Sequence, residues 1–184
     1  KNYLKIVKKL TYHTGGKQLI LKSPENTCRI DMLLELFPDA KFIHIYRNPY
    51  DVFPSTIGMF KKLFPIFSLE DITKNPDDLV DTVVLDIYEK LYTQYLKDKQ
   101  AIPKENLLEM KYEKFIKDPM RYMEQIYSDL DIEGFEEQKD AFKQYIDAQA
   151  GYKTNGYKID IVNKRRLNKR LFFLFKKFGY NIEA

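Results

Sequence analysis

Apolar residues return at helical spacing near the start of the chain, where Leu4, Ile6, Val7 and Leu10 alternate with lysines. Thr14-Gly15-Gly16 breaks that pattern, and Gln18-Leu19-Ile20-Leu21 then reads as a short buried strand ending at Lys22. A helical period resumes from Ile30 to Phe37, Pro38-Asp39 turns the chain, and Lys41-Phe42-Ile43-His44-Ile45-Tyr46 follows as a second strand. Asn48-Pro49 marks a helix start with a mechanism, since Asn caps free backbone amides and Pro is tolerated at the first helical position. That helix is expected to run to about Phe64, and Pro76-Asp77-Asp78 opens a long one through about Lys99. Pro103 closes it, Asn106-Leu107-Leu108-Glu109-Met110 supplies a third strand, and Tyr112 stands just past its end. Helices from Asp118-Pro119 to about Leu130 and from Phe135 to Gln149 follow.

Strand and helix alternate, which predicts an α/β fold with a parallel sheet flanked by helices, over a single domain spanning residues 1–184. Gln18–Lys22, Lys41–Tyr46 and Asn106–Met110 are expected side by side in one sheet. Lys22, Arg47 and Tyr112 then stand near their carboxyl ends on one rim, facing a common crevice. The tail from Ile159 onward is basic and aromatic, with Arg165-Arg166, Lys169-Arg170 and Lys176-Lys177. Those pairs suit RNA or a membrane surface, but Leu167, Leu171, Leu174, Phe175 and Phe178 recur at helical spacing, which favours a docked amphipathic helix.

Composition narrows the function. With 184 residues, 31 of them basic and 27 acidic, the net charge is +4, too weak a field to demand a polyanionic partner such as nucleic acid. Any anion site is therefore local. The single cysteine, Cys28, makes no internal disulfide, and no Cys/His cluster has zinc-ligand spacing, so no metal is expected. No apolar run reaches the length of a membrane span and no signal-peptide pattern opens the chain, which reads as cytoplasmic. The chain begins at Lys1 inside a helical pattern, as a fragment of a longer protein would.

The chemistry concentrates in Lys41-Phe42-Ile43-His44-Ile45-Tyr46-Arg47-Asn48-Pro49-Tyr50-Asp51-Val52-Phe53-Pro54-Ser55. An arginine between a parallel strand and a capped helix sits where α/β folds hold ligands, and its planar guanidinium can bind two phosphate oxygens. Ser55 falls within the early turns of that helix, where a hydroxyl and nearby amides can meet the same anion. The alternative is plain: Arg47 pairs with Asp51 across one helical turn, and Ser55 is only a small residue. Residue types alone do not choose between the two.

The wording of three segments does. Strand, Arg47-Asn48-Pro49, Asp51-Val52 and Ser55 form one; Leu21-Lys22-Ser23-Pro24 with Leu33-Leu34-Glu35-Leu36-Phe37-Pro38-Asp39-Ala40 form another; Lys111-Tyr112-Glu113-Lys114-Phe115-Ile116-Lys117-Asp118-Pro119 form the third. Together, over roughly Lys1 to Leu130, they resemble the sulfotransferase superfamily, and especially its bacterial branch related to tyrosylprotein sulfotransferases. The resemblance implies a P-loop NTPase-like sulfotransferase fold, incomplete at the N-terminus. It also implies that the donor is 3′-phosphoadenosine-5′-phosphosulfate (PAPS), with no metal, and that Arg47 and Ser55 bind its 3′-phosphate. Tyr112 corresponds to the tyrosine that contacts adenine, although it also reads as an ordinary core tyrosine in a chain with 14 of them. Lys22 corresponds to the lysine that approaches the transferring sulfuryl group; otherwise it is a solvated strand end. Lys153, within Gly151-Tyr152-Lys153-Thr154-Asn155-Gly156-Tyr157, is a candidate phosphate contact on the family's C-terminal loop.

Two departures matter. Many cytosolic sulfotransferases carry a catalytic histidine two positions after that lysine, and here Pro24 stands there. His13 and His44 are poor replacements, because His44 alternates with Phe42 and Tyr46 inside a strand. The loop that cradles the 5′-phosphosulfate is also missing: Gly15-Gly16-Lys17 precedes a strand instead of following one. Cradle and general base are thus expected upstream of Lys1, with the fragment itself inactive. The expected activity is sulfuryl transfer to a hydroxyl or amine acceptor. The competing classes are a nucleotide-binding or interaction module without transfer, and a kinase-like enzyme, for which no phosphate loop or magnesium ligand is found.

Overall fold

A computed structural model describes residues 2–67, 77–151 and 156–183. Helix α1 spans Asn2–His13, and a short 3-10 turn at Pro24–Cys28 leads into α2 (Ile30–Leu36). Strand β1 (Phe42–Tyr46) runs into α3 (Pro49–Phe67), and α4 (Asp77–Asp98) leads through two 3-10 turns to β2 (Leu107–Lys111). Then come α5 (Tyr112–Phe115), α6 (Pro119–Asp129), α7 (Phe135–Ala148), α8 (Ile161–Arg170) and α9 (Phe172–Phe178). The helices start where their capping residues stand: Asp118 accepts the Arg121 amide at 3.3 Å, and Asp160 accepts that of Asn163 at 2.9 Å.

Among the described residues, β1 and β2 form a two-stranded parallel sheet, with Phe42 opposite Leu107 and Tyr46 opposite Lys111. The expected strand at Gln18–Lys22 is not one. Residues 17–23 have no regular secondary structure, no strand among the described residues pairs with them, and Ile20 is 92% exposed. An apolar run such as Leu19-Ile20-Leu21 becomes a buried strand only when a partner satisfies its amides and helices cover its faces. Lys22 consequently sits exposed on an irregular segment, and not at the carboxyl end of a sheet strand.

Period-two alternation sorts the two sheet faces. His44 and Glu109 point toward α4, while Leu108 and Met110 point the other way and pack with Ile126 and Leu130 of α6 and its end. The larger cluster joins Tyr50 and Phe53 of α3, Val84, Leu85, Tyr92 and Tyr95 of α4, and Leu167, Leu174 and Phe175 of the tail. The tail is docked, as its apolar spacing predicts, but as two helices meeting at Leu171, itself fully buried. Arg170 secures α8 to α4 through Asp86 at 2.6 Å and through Glu89. Its basic residues are therefore partly engaged within the chain. Pro76 lies outside the described residues. No helix among the described residues is long and apolar enough to cross a membrane.

Candidate functional site

Parallel pairing carries β1 and β2 in the same direction, and Tyr46 with Lys111 is their last pair. Arg47 and Tyr112 therefore leave the sheet together, at the carboxyl ends, where α/β folds hold ligands. The Arg47 Cζ lies 4.8 Å from the centroid of the Tyr112 ring, a cation–π contact. A guanidinium can meet an aromatic ring with its face and an oxyanion with the N–H donors along its edge.

The competing contact with Asp51 is present in weak form. Arg47 Nε lies 3.4 Å from Asp51 Oδ2 across one helical turn, yet Nε makes no hydrogen bond even though the atom is buried. A half-exposed pair of this kind contributes little by itself. A buried guanidinium nitrogen whose one close acceptor lies at ion-pair distance without a hydrogen bond is costly to leave so poorly satisfied.

The backbone at the start of α3 offers an anion little. The Tyr50 amide donates to Asn48 Oδ1 at 3.1 Å, and those of Asp51 and Val52 to the Asn48 carbonyl at 2.9 and 3.1 Å. Pro49 has no amide hydrogen, and the Asn48 amide itself donates to Glu113 Oε1 at 2.9 Å. Ser55 is half-buried in α3, about 9 Å of helical rise beyond Pro49, past the free-amide turn. The expected help from amides near Ser55 is thus absent, and an anion here would be held by side chains.

Of the five residues singled out in the sequence, the structure brings Arg47 and Tyr112 into contact and puts Ser55 on the helix that follows Arg47. Lys22 is exposed on its own segment, and Lys153 lies outside the described residues. His13 ends α1, exposed. His44 is buried, with its ring 4.0 Å from that of Tyr95 and its Nδ1 3.7 Å from Glu109 Oε1, beyond hydrogen bonding. It is a packed core histidine.

Two residues of the site escaped the sequence reading. Glu113 Oε2 accepts the Tyr180 hydroxyl at 2.9 Å, and Lys111 Nζ lies 3.9 Å from the centroid of the Tyr180 ring. Desolvation first, then the bond to Glu113, pushes the Tyr180 phenol well above its ordinary pKa, so it stays a donor. Glu113 stood beside Tyr112 in a segment already singled out; Tyr180 offered only a glycine before it. A separate cleft of about 220 Å³ opens between α3, α4 and the turn into α8, lined by Ile57, Asp81 and Asn163, with neither Arg47 nor Tyr112 in its wall. Among the described residues, no group of three or more His, Cys, Asp or Glu is placed to hold a metal ion.

Comparison with known proteins identifies the family. The model of the family described as "Sulfotransferase family" matches residues 3–137. The chain belongs to the sulfotransferase family. It is 34% identical over 170 residues to the omega-hydroxy-beta-dihydromenaquinone-9 sulfotransferases Stf3 of Mycobacterium bovis and Mycobacterium tuberculosis, covering 92% of this chain and 43% of theirs. The crystal structure of sulfotransferase STF9 from Mycobacterium avium superposes with a TM-score of 0.70 at 21% identity, over 92% of this chain and 44% of that one. That likeness shows the α/β sulfotransferase fold. The chain spans less than half the length of the sulfotransferases it matches.

Proposed function

We propose that this chain carries the 3′-phosphate half of a PAPS site, and that the protein to which it belongs moves the sulfuryl group to a hydroxyl acceptor. The observation that carries the reading is Arg47, its guanidinium over the Tyr112 ring at the carboxyl ends of β1 and β2, where α/β folds hold ligands. Such a fork fits a phosphate dianion. Ser55 would add a hydroxyl donor, and Tyr112 its ring to the adenine side.

When bound, PAPS supplies the sulfuryl group. Arg47 and Ser55 bind and orient, at a phosphate that does not react. Lys22 would offset negative charge on the leaving oxygen, as the family resemblance implies. Lys153 would add a phosphate contact on the same basis. The hydroxyl acceptor is supported by the Stf3 relatives, whose name specifies an omega-hydroxy substrate.

Calorimetry tests the binding half. Adenosine 3′,5′-bisphosphate should bind more tightly than adenosine 5′-monophosphate, and Arg47→Ala should weaken the former about tenfold to a hundredfold while leaving the latter unchanged. Equal affinities in the unmodified chain would contradict the proposal.

A further inference from the structure

We infer that Glu113 is a positioning residue for the Arg47 site and that Tyr180, delivered by the turn after α9, holds it in place; this rests on the 3′-phosphate reading above. The Glu113 carboxylate is divided between two donors. Oε1 takes the amide of Asn48, and Oε2 takes the hydroxyl of Tyr180, each at 2.9 Å. Asn48 is the residue immediately after Arg47, so the first bond fixes the backbone from which the guanidinium is hung. Tyr112, the ring under that guanidinium, is the residue immediately before Glu113. One short helix, α5, therefore grips the arginine twice: through its backbone and across its face.

A carboxylate is a poor neighbour for a phosphate unless it does something else. Here it accepts an amide that would otherwise lack a partner at the junction of β1 and α3. Tyr180 reaches it because Gly179 adopts φ 65°, and the Tyr180 amide closes back on the Phe175 carbonyl at 2.9 Å, the bond that ends a helix with a left-handed glycine. Lys111 over the Tyr180 ring completes the contact. The C-terminal turn thus reaches the candidate site through a single carboxylate.

The test compares Glu113→Ala, Glu113→Gln and Tyr180→Phe by nucleotide titration and thermal melting. Glu113→Ala should lower affinity for adenosine 3′,5′-bisphosphate about three- to tenfold and leave that for the 5′-monophosphate unchanged. Glu113→Gln, which keeps an acceptor for the Asn48 amide, should restore most of the loss. Tyr180→Phe should lower bisphosphate affinity about twofold or more, because a deleted hydrogen bond of this kind is worth only a small factor. In an Arg47→Ala background, Glu113→Ala should have no further effect on binding. A Glu113→Ala chain that melts earlier yet keeps the full preference for the bisphosphate would overturn the inference, as would an equal loss in the Arg47→Ala background. Failure of the underlying reading looks different: the unmodified chain would show no preference, and Arg47→Ala would change nothing.

Discussion

Arg47 gains its importance from what surrounds it and not from charge alone. The early amides of α3 are already bonded to Asn48, so in the proposed site the anion-binding work that a helix N-terminus often performs would fall to side chains. Replacing Arg47 by Lys is accordingly not conservative: a point charge on a flexible stem lacks both the fork and the flat face on Tyr112. Arg47→Lys should keep less than about a tenth of the bisphosphate affinity, as read by calorimetry, because one of two charge-assisted bonds is lost. Under the role proposed above, Lys22 should behave oppositely in a protein competent for sulfuryl transfer. Lys22→Ala should cut turnover by roughly a hundredfold, the scale of a lost transition-state donor, with donor affinity nearly unchanged. Unchanged turnover would remove Lys22 from the mechanism. The places of Arg47, Tyr112 and Ser55, just past two strands and on the following helix, were legible in the sequence because strand end, cap and helix are local patterns, while their proposed roles rest on the family resemblance. Glu113 as a backbone clamp was not, since its partners at Asn48 and Tyr180 are distant in the chain.

At the scale of elements, α4 is joined to the sheet by a polar cluster on Glu109. Its carboxylate accepts from Lys99 Nζ at 2.6 Å and from the Tyr95 hydroxyl at 2.7 Å, with the His44 ring alongside. Burial disfavours the charge, but His44, Lys99 and Tyr95 outweigh it and hold the Glu109 carboxyl down at about 2. Because this folded-state pKa is depressed, the stabilisation is present above the ordinary glutamate range and is lost as pH falls through about 2. Glu109→Gln should therefore lower the melting temperature at neutral pH, with the gap to the unmodified chain closing between about pH 4.5 and pH 2. A gap independent of pH would contradict the assignment. The helices were the legible elements, since starts such as Asn48 and Asp118 announce themselves. The strand expected at Gln18–Lys22 failed because apolar run length signals burial potential, and only a neighbouring strand turns it into structure. The tail's basic pairs gave an ambiguous signal that its leucines resolved. Leu171, fully buried where α8 meets α9, should cost about 2–5 kcal/mol of stability when changed to Ala, measured by denaturant unfolding.

For the whole molecule, the two-stranded sheet is a small frame with unequal cover. One face carries the main cluster, while α6 covers Leu108 and Met110 of β2 and leaves Ile43 and Ile45 of β1 more than 40% exposed. Parallel strands ordinarily have both faces covered. The chain also spans less than half the length of the sulfotransferases it matches. What the frame supplies is the side-by-side exit of Arg47 and Tyr112, a consequence of parallel register that no single segment encodes. The most direct measurement is a phosphorus-31 NMR titration of adenosine 3′,5′-bisphosphate with the chain and with its Arg47→Ala variant. The 3′-phosphorus resonance should shift on binding, and that shift should vanish when Arg47 is removed. Displacement of the 5′-phosphorus resonance alone, or a 3′ shift that survives the loss of Arg47, would contradict the account.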